Sequence, residues 1–329
     1  MGGHARRLAQ WRGWARLRPA LTMALLVLGA VLLLRHLRSI DWHAVQVVLG
    51  AMPHAAVLLA FGLGAASYAV YCSFDLLGKR VTGHAVDRRR VLAIAFVSHA
   101  CALSLGPIGA GVRFRLLMRQ GLPAHLTAAL WLFDVATNWL GFLVVAGAAF
   151  AARTIALPAS WRLDQDTLQV AGVLMLAAVA AYLAACRMAR RHRAWTVRGV
   201  DFRLPPLHVA ALQCMLSALN WLLLAGVIYM LLNEQAKFGL VLGTVLANAL
   251  ALAVIDVPAG LGVTDTVFLT LLSSAVAPAD LLAALLAYRA IYFLAPLALS
   301  SIVYLGLEWD AGGAGAPPAS AERKAQRPS

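Results

Sequence analysis

The sequence predicts an all-α polytopic membrane protein, with about six full spans plus two re-entrant helical hairpins in an inverted-topology repeat. Three observations predict it. Of the 329 residues, 62% are hydrophobic and 13% charged, where soluble domains carry about 25% charged residues. The apolar residues run in stretches of crossing length, for which about 20 residues are needed. One phrase, P-x-G-x-G-V, occurs twice: as Pro107, Gly109, Gly111 and Val112, and again as Pro258, Gly260, Gly262 and Val263.

Residues 1–18 form a basic segment with Arg6, Arg7, Arg12, Arg16 and Arg18. The apolar run 19–36 that follows has no small-residue cleavage site after it, so it is expected to be an uncleaved signal anchor. Further spans are predicted at 55–77, 126–151, 168–186, 207–232 and 281–307. Two apolar regions, 91–121 and 238–277, are each broken near the middle by the repeated phrase. Glycine permits close backbone approach and proline lacks the N–H that a break would orphan. Each region is therefore read as a hairpin that enters and leaves on one side. Beyond Glu308 the chain turns small, Pro-rich and polar, and 311–329 is expected to be a disordered cytoplasmic tail.

Charge decides the topology. With both hairpins re-entrant and the N-terminus inside, 22 of the 28 lysines and arginines fall on the cytoplasmic side and five outside; Arg289 lies within a span. If 91–112 crosses instead, the division becomes 13 against 14. Positive charge resists translocation, which favours the first arrangement. The chain then divides into a first half, 19–156, with hairpin 91–121, and a second half, 157–310, with hairpin 238–277. The second half starts on the opposite side, as in the inverted repeats of secondary transporters. A multi-pass protein of the bacterial inner membrane, with both termini cytoplasmic, is expected.

The net charge of +14 is spread over clusters between apolar runs, so nucleic acid is not expected as a partner. The four cysteines (Cys72, Cys101, Cys186 and Cys214) lie in or beside apolar segments without ligand spacing. They read as small buried hydrophobes, and neither a metal nor a cofactor is expected.

The chemistry is expected at the hairpin tips: Pro107, Gly109 and Gly111 in one, Pro258, Gly260 and Gly262 in the other. A half-helix is predicted to start after each, at about Val112 and Val263. Its free N–H groups and dipole favour an anion. Arg113 and Arg115 follow the first tip, and a guanidinium binds phosphate bidentately. Arg119 reads as an interfacial anchor. Asp265 follows the second tip and is placed to cap the helix or to pair. Arg289, inside the last span, needs a partner, and Asp265, Asp256 and Asp134 are all available. Asp134 and Asn138 share a helix face. Asn220 and Asn248 read as interhelical hydrogen-bonding groups.

SLGPIGAGVRFRLLMRQGL, TNWLGFLVVAG, VPAGLGVTDTVFLTLL and LLAYRAIYFLAPLAL resemble the membrane domain of lysylphosphatidylglycerol synthases. They are closer still to its stand-alone relatives, the YbhN-type bacterial inner-membrane proteins. The resemblance covers about residues 20–310. It implies a flippase-like protein that moves a polar lipid between leaflets. It also implies, by analogy with the fused synthases, a separate lipid-synthesising enzyme as partner. About 20 residues follow the last span, so the synthases' aminoacyl-transfer domain is not expected. The family carries Glu where this chain has Asp265.

Three function classes follow. The leading expectation is non-enzymatic translocation or handling of a polar, anionic phospholipid, with Arg113, Arg115, Asp134, Asn138, Asp265 and Arg289 around the headgroup. An ion-coupled secondary transporter of a small solute is the alternative, with Asp134, Asp256 and Asp265 as coupling groups. An intramembrane enzyme is not expected: Asp265 stands three residues past Gly262 rather than in G-x-G-D, and no loop clusters His, Arg and carboxylates.

Overall fold

The computed structural model describes residues 43, 47, 50–154, 164–188, 195–197, 200–202, 204–255, 260 and 262–313, with backbone alone for 195–197, 200–202 and 310–313. The predicted first span, 19–36, and the tail beyond 313 lie outside the described residues. So do Asp256 and Pro258.

Helix α1 (His54–Thr82) begins after Pro53 and ends at Gly83, whose left-handed backbone (φ 67°) returns its N–H to the Lys79 carbonyl. Lys79 and Arg80 in the last turn oppose the helix dipole. Asp87 then caps α2 (Arg88–Leu105), accepting from the Arg89 N–H at 2.9 Å. Gly106 (φ 62°) stops α2, and Pro107 starts α3 (Ile108–Arg119). Pro123 precedes α4 (Ala124–Ala151), and α5 (Gln165–Met188) follows.

A short antiparallel ladder joins β1 (Trp195–Val197) to β2 (Val200–Phe202), an element the sequence reading did not contain. Next come α6 (Leu207–Leu231), α7 (Phe238–Val254) and α8 (Val263–Leu272). The last span runs from α9 (Pro278–Tyr288) through a π-helical segment, Arg289–Leu294, into α10 (Ala295–Gly313).

Among the described residues, five helical stretches are long and apolar enough to cross a membrane: His54–Thr82, Ala124–Ala151, Gln165–Met188, Leu207–Leu231 and Pro278–Trp309. They match five of the six predicted spans. Leu58, Leu174, Met215, Ile302 and Leu305 stand exposed on their outer faces, as side chains facing lipid do. Helices α1 and α6 pack side by side at the centre, and α4 lies against both α5 and α6. The main core gathers Phe142, Trp221, Phe268, Leu272, Leu281 and Tyr292. A second core of Val91, Ile94, Leu116, Leu117 and Leu130 is closed over by Tyr304 and Leu307 of α10.

Both interrupted regions are broken helix pairs. In the first, α2 and α3 run antiparallel: Arg90 at the start of α2 donates to Gln120 Oε1 just past α3 at 2.8 Å. Gly109 lies so close to α2 that a Cβ there would collide with the Ala102 backbone. Both ends of this pair therefore sit at one end of the molecule. The end of α10 is there too, since Glu308 pairs with Arg119.

In the second region, α7 and α8 pack together, and a Cβ at Gly260 would lie 3.3 Å from the Leu252 side chain. The start of α7 is at the opposite end of the molecule, where Gly239 approaches the Thr154 carbonyl beyond α4.

The two copies of the repeated phrase do not occupy equal places. The second half-helix starts at Val263, as predicted, after Gly262 at φ 77°. The first starts at Ile108, four residues before the predicted Val112. The physical reason is that Gly106 makes the break and Pro107 fits a helix start, where its missing N–H has no partner to lose. Gly109 and Gly111 therefore lie within α3, whereas Gly260 and Gly262 precede α8.

Candidate functional site

Two groups of ionic side chains stand out within these apolar helices among the described residues. The first centres on Arg113 of α3. Its Nη2 donates to Asp75 Oδ1 of α1 at 2.5 Å, and its Nη1 pairs with Asp134 Oδ2 of α4 at 2.5 Å. Only 6% of the Arg113 side chain is exposed, against 4% and 2% for the two aspartates. Three elements are thus held by one guanidinium, whose planar fork serves two carboxylates at once. Asp75 Oδ2 and Asp134 Oδ1 are buried without a hydrogen-bond partner among the described residues. His99 of α2 stacks on Tyr71 beside this group, ring centroids 3.5 Å apart.

The second group joins α8 to the last span. Asp265 Oδ2 accepts from Arg289 Nη2 at 2.7 Å and from the Gly262 N–H at 3.2 Å. One carboxylate therefore both caps the half-helix and pairs with the arginine; Asp134 pairs with Arg113 instead, and Asp256 lies outside the described residues. This pair is more open than the first: 19% of the Arg289 side chain and 24% of Asp265 are exposed.

A polar seam connects the pair to the central helices. Ser67 of α1 donates to Asn220 Oδ1 of α6 at 2.7 Å and shares a 2.8 Å hydrogen bond with the Tyr292 hydroxyl. Tyr68 donates to the Tyr292 carbonyl at 3.0 Å. In an α-helix that carbonyl would accept from residue 296, but Pro296 has no N–H. The turn widens into the π segment, where Ala295 N–H reaches back to Ala290, and Tyr68 supplies a donor to Tyr292. Single π turns recur at functional sites. Tyr288 stacks on Tyr292 in the same place.

The remaining predicted residues lie elsewhere. Arg115 pairs with Glu308 at 3.1 Å and donates to the Tyr304 hydroxyl, and Arg119 shares Glu308. All three sit at the end of α10. Asn138 is on α4, where its backbone carbonyl accepts from Ser217 and from the Trp221 indole. Asn248 is on α7, its Oδ1 buried without a hydrogen-bond partner among the described residues. Gly111 has open space where a Cβ would go, so Gly109 is the close-approach glycine of the first pair. Among the described residues, no group of three or more His, Cys, Asp or Glu is placed to hold a metal ion.

Sequence reasoning missed Asp75, Glu308 and the Ser67–Tyr68–Tyr292 seam. Asp75 had a signal: it is a carboxylate in the apolar run 55–77, where an acid is costly and calls for a partner.

Known proteins resemble this chain in sequence. The family model described as the lysylphosphatidylglycerol synthase TM region matches residues 21–300. The inner membrane protein YbhN of Escherichia coli (strain K12) is 35% identical over 298 residues, covering 90% of this chain and 93% of that protein. The uncharacterized protein slr0712 of Synechocystis sp. is 28% identical over 303 residues, with the same coverage of each chain. This chain belongs to the lysylphosphatidylglycerol synthase transmembrane-region family, as a membrane protein built of helices.

Proposed function

We propose that this protein moves a polar, anionic phospholipid across the bacterial inner membrane without converting it chemically. Both broken helix pairs are read as re-entrant hairpins whose tips border the headgroup path, with the two halves of the chain as inverted repeats. Family membership and the relative named as an inner membrane protein support the setting.

One observation carries the reading. The Asp265–Arg289 pair stands half-open at the start of the second half-helix, within an apolar helical wall. Arg289 can give its guanidinium to a phosphate, while Asp265 holds it when no headgroup is present. The free N–H groups at the start of α8 add positive potential at the same place. Arg113 reaches a headgroup only by leaving Asp75 and Asp134, and Arg115 only by leaving Glu308. The reading therefore puts headgroup binding at Arg289, with Arg113, Arg115, Asp134 and Asn138 on the far side of the path. A separate lipid-synthesising enzyme is the partner this function calls for, and nucleic acid is not.

The test is exchange of fluorescent phosphatidylglycerol between leaflets of proteoliposomes, with outer-leaflet quenching and phosphatidylethanolamine as comparison. Exchange of the anionic lipid should be faster with wild-type protein than in protein-free vesicles, and lost in Arg289→Ala. Wild-type exchange no faster than in protein-free vesicles would overturn the proposal.

A further inference from the structure

We propose that Asp75 and Asp134 share one proton over Arg113, making this buried triad the proton-binding site that drives transport. Two carboxylates and one guanidinium leave one negative charge in excess, with each side chain 6% exposed or less. Lys79, one helical turn beyond Asp75, donates its Nζ to the His84 and Val86 carbonyls at 2.6 Å, and Arg289 is held by Asp265. An isolated buried charge is far costlier than a buried neutral group.

A second observation points to the same ligand. Asp75 Oδ2 and Asp134 Oδ1 are buried and lack a donor among the described residues, and the two carboxyl groups are brought together on one guanidinium, each 2.5 Å from it. A single proton between them cancels the excess charge and supplies the missing donor. The other titratable groups facing the triad are Tyr71 and Cys72 of α1 and His99 of α2. Tyrosine and cysteine carry no positive charge in any state, and His99 Nε2 is buried without a hydrogen-bond partner among the described residues, so a proton there would be a second buried charge with no carboxylate bonded to it. None of them removes the excess.

The site is placed to couple. Its three members come from α1, from the first broken helix pair and from α4, so proton occupancy and closure of that pair are linked equilibria. Loss of the proton leaves an uncompensated charge that water must reach, which favours opening. The coupling, though not the proton itself, rests on the transport reading above.

Infrared spectroscopy of the protein in lipid nanodiscs tests the proton directly. Wild type at neutral pH should show the carbonyl stretch of a buried protonated carboxyl group, shifted in heavy water. Asp75→Asn or Asp134→Asn, each isosteric with a protonated carboxyl, should remove it. Absence of the band in wild type, or its persistence in both variants, overturns the site.

Proteoliposomes with an imposed pH difference test the coupling. One proton per lipid sustains up to about tenfold leaflet asymmetry per pH unit, and the Asn variants should show none. Lipid exchange that ignores the gradient in wild type overturns the coupling. Absent exchange alongside an intact carboxyl band would instead sink the lipid reading and leave the proton site standing.

Discussion

Asp265 and Arg289, 24 residues apart and 2.7 Å from each other, repeat the construction of Arg113 and Asp134 with the signs exchanged. In each half, the second helix of a broken pair carries one charge, and the span that follows carries the opposite one. The first pair is sealed by a second carboxylate, while the other is half-open and anchored by a backbone N–H.

That anchoring separates length from charge at position 265. Asp265→Glu should keep both the cap and the pair, because glutamate suits the third position of a helix. Asp265→Ala and Arg289→Ala should each impair lipid exchange, and their stability effects should be non-additive. A double-mutant cycle on thermal unfolding should give a coupling energy of about 0.5–3 kcal/mol.

Removing Arg113 leaves two buried carboxylates without their cation. Arg113→Ala should lose about 3–5 kcal/mol, the scale of breaking a buried pair from one side. Arg113→Lys should recover only part of this, since an ammonium cannot fork to two carboxylates. Unfolding in detergent, followed by circular dichroism, measures both.

Gly109 and Gly111 should part company. A Cβ at Gly109 meets the Ala102 backbone, whereas one at Gly111 meets nothing within 4 Å. Gly109→Ala should force α2 and α3 apart and lower the unfolding temperature. Gly111→Ala, inside a helix, should be neutral or stabilising by up to about 1 kcal/mol. Equal losses at both positions would contradict the packing described.

Tyr68→Phe removes the donor to the Tyr292 carbonyl and should cost about 1–3 kcal/mol. Pro296→Ala restores an N–H four residues beyond Tyr292 and should compensate that loss in the double variant. Comparing the melting temperatures of the two single variants and the double variant checks this.

Five spans and both breaks were legible because membrane crossing imposes length and apolarity on every residue of a helix. Which way a side chain points was not legible. In a helix apolar all round, no polar stripe marks the inner face, so the sequence could not tell that Asp75 turns toward Arg113. The partner of Arg289 was legible only as a set of three acids, since the choice depends on how α8 meets the last span. Asn220 was legible as an interhelical hydrogen-bonding group and accepts from Ser67, whereas Ser67 and Tyr68 left no trace because serine and tyrosine are ordinary residues in such helices. The first helix start was misplaced by four residues because two copies of a phrase suggested two equal breaks, while Gly106, outside the phrase, ends α2.

The last span touches both broken helix pairs. Arg289, the first residue of the π turn, holds α8, and Glu308, farther along the span, holds α3. A π turn packs one more residue than its α-helical counterpart into about the same rise, so tightening it to the α-helical pitch would lengthen and twist the rod that joins the two grips. The span is thus a jointed strut: movement at either broken helix pair is carried to the other through covalent chain, and the joint sits where Tyr68 has hold of the backbone.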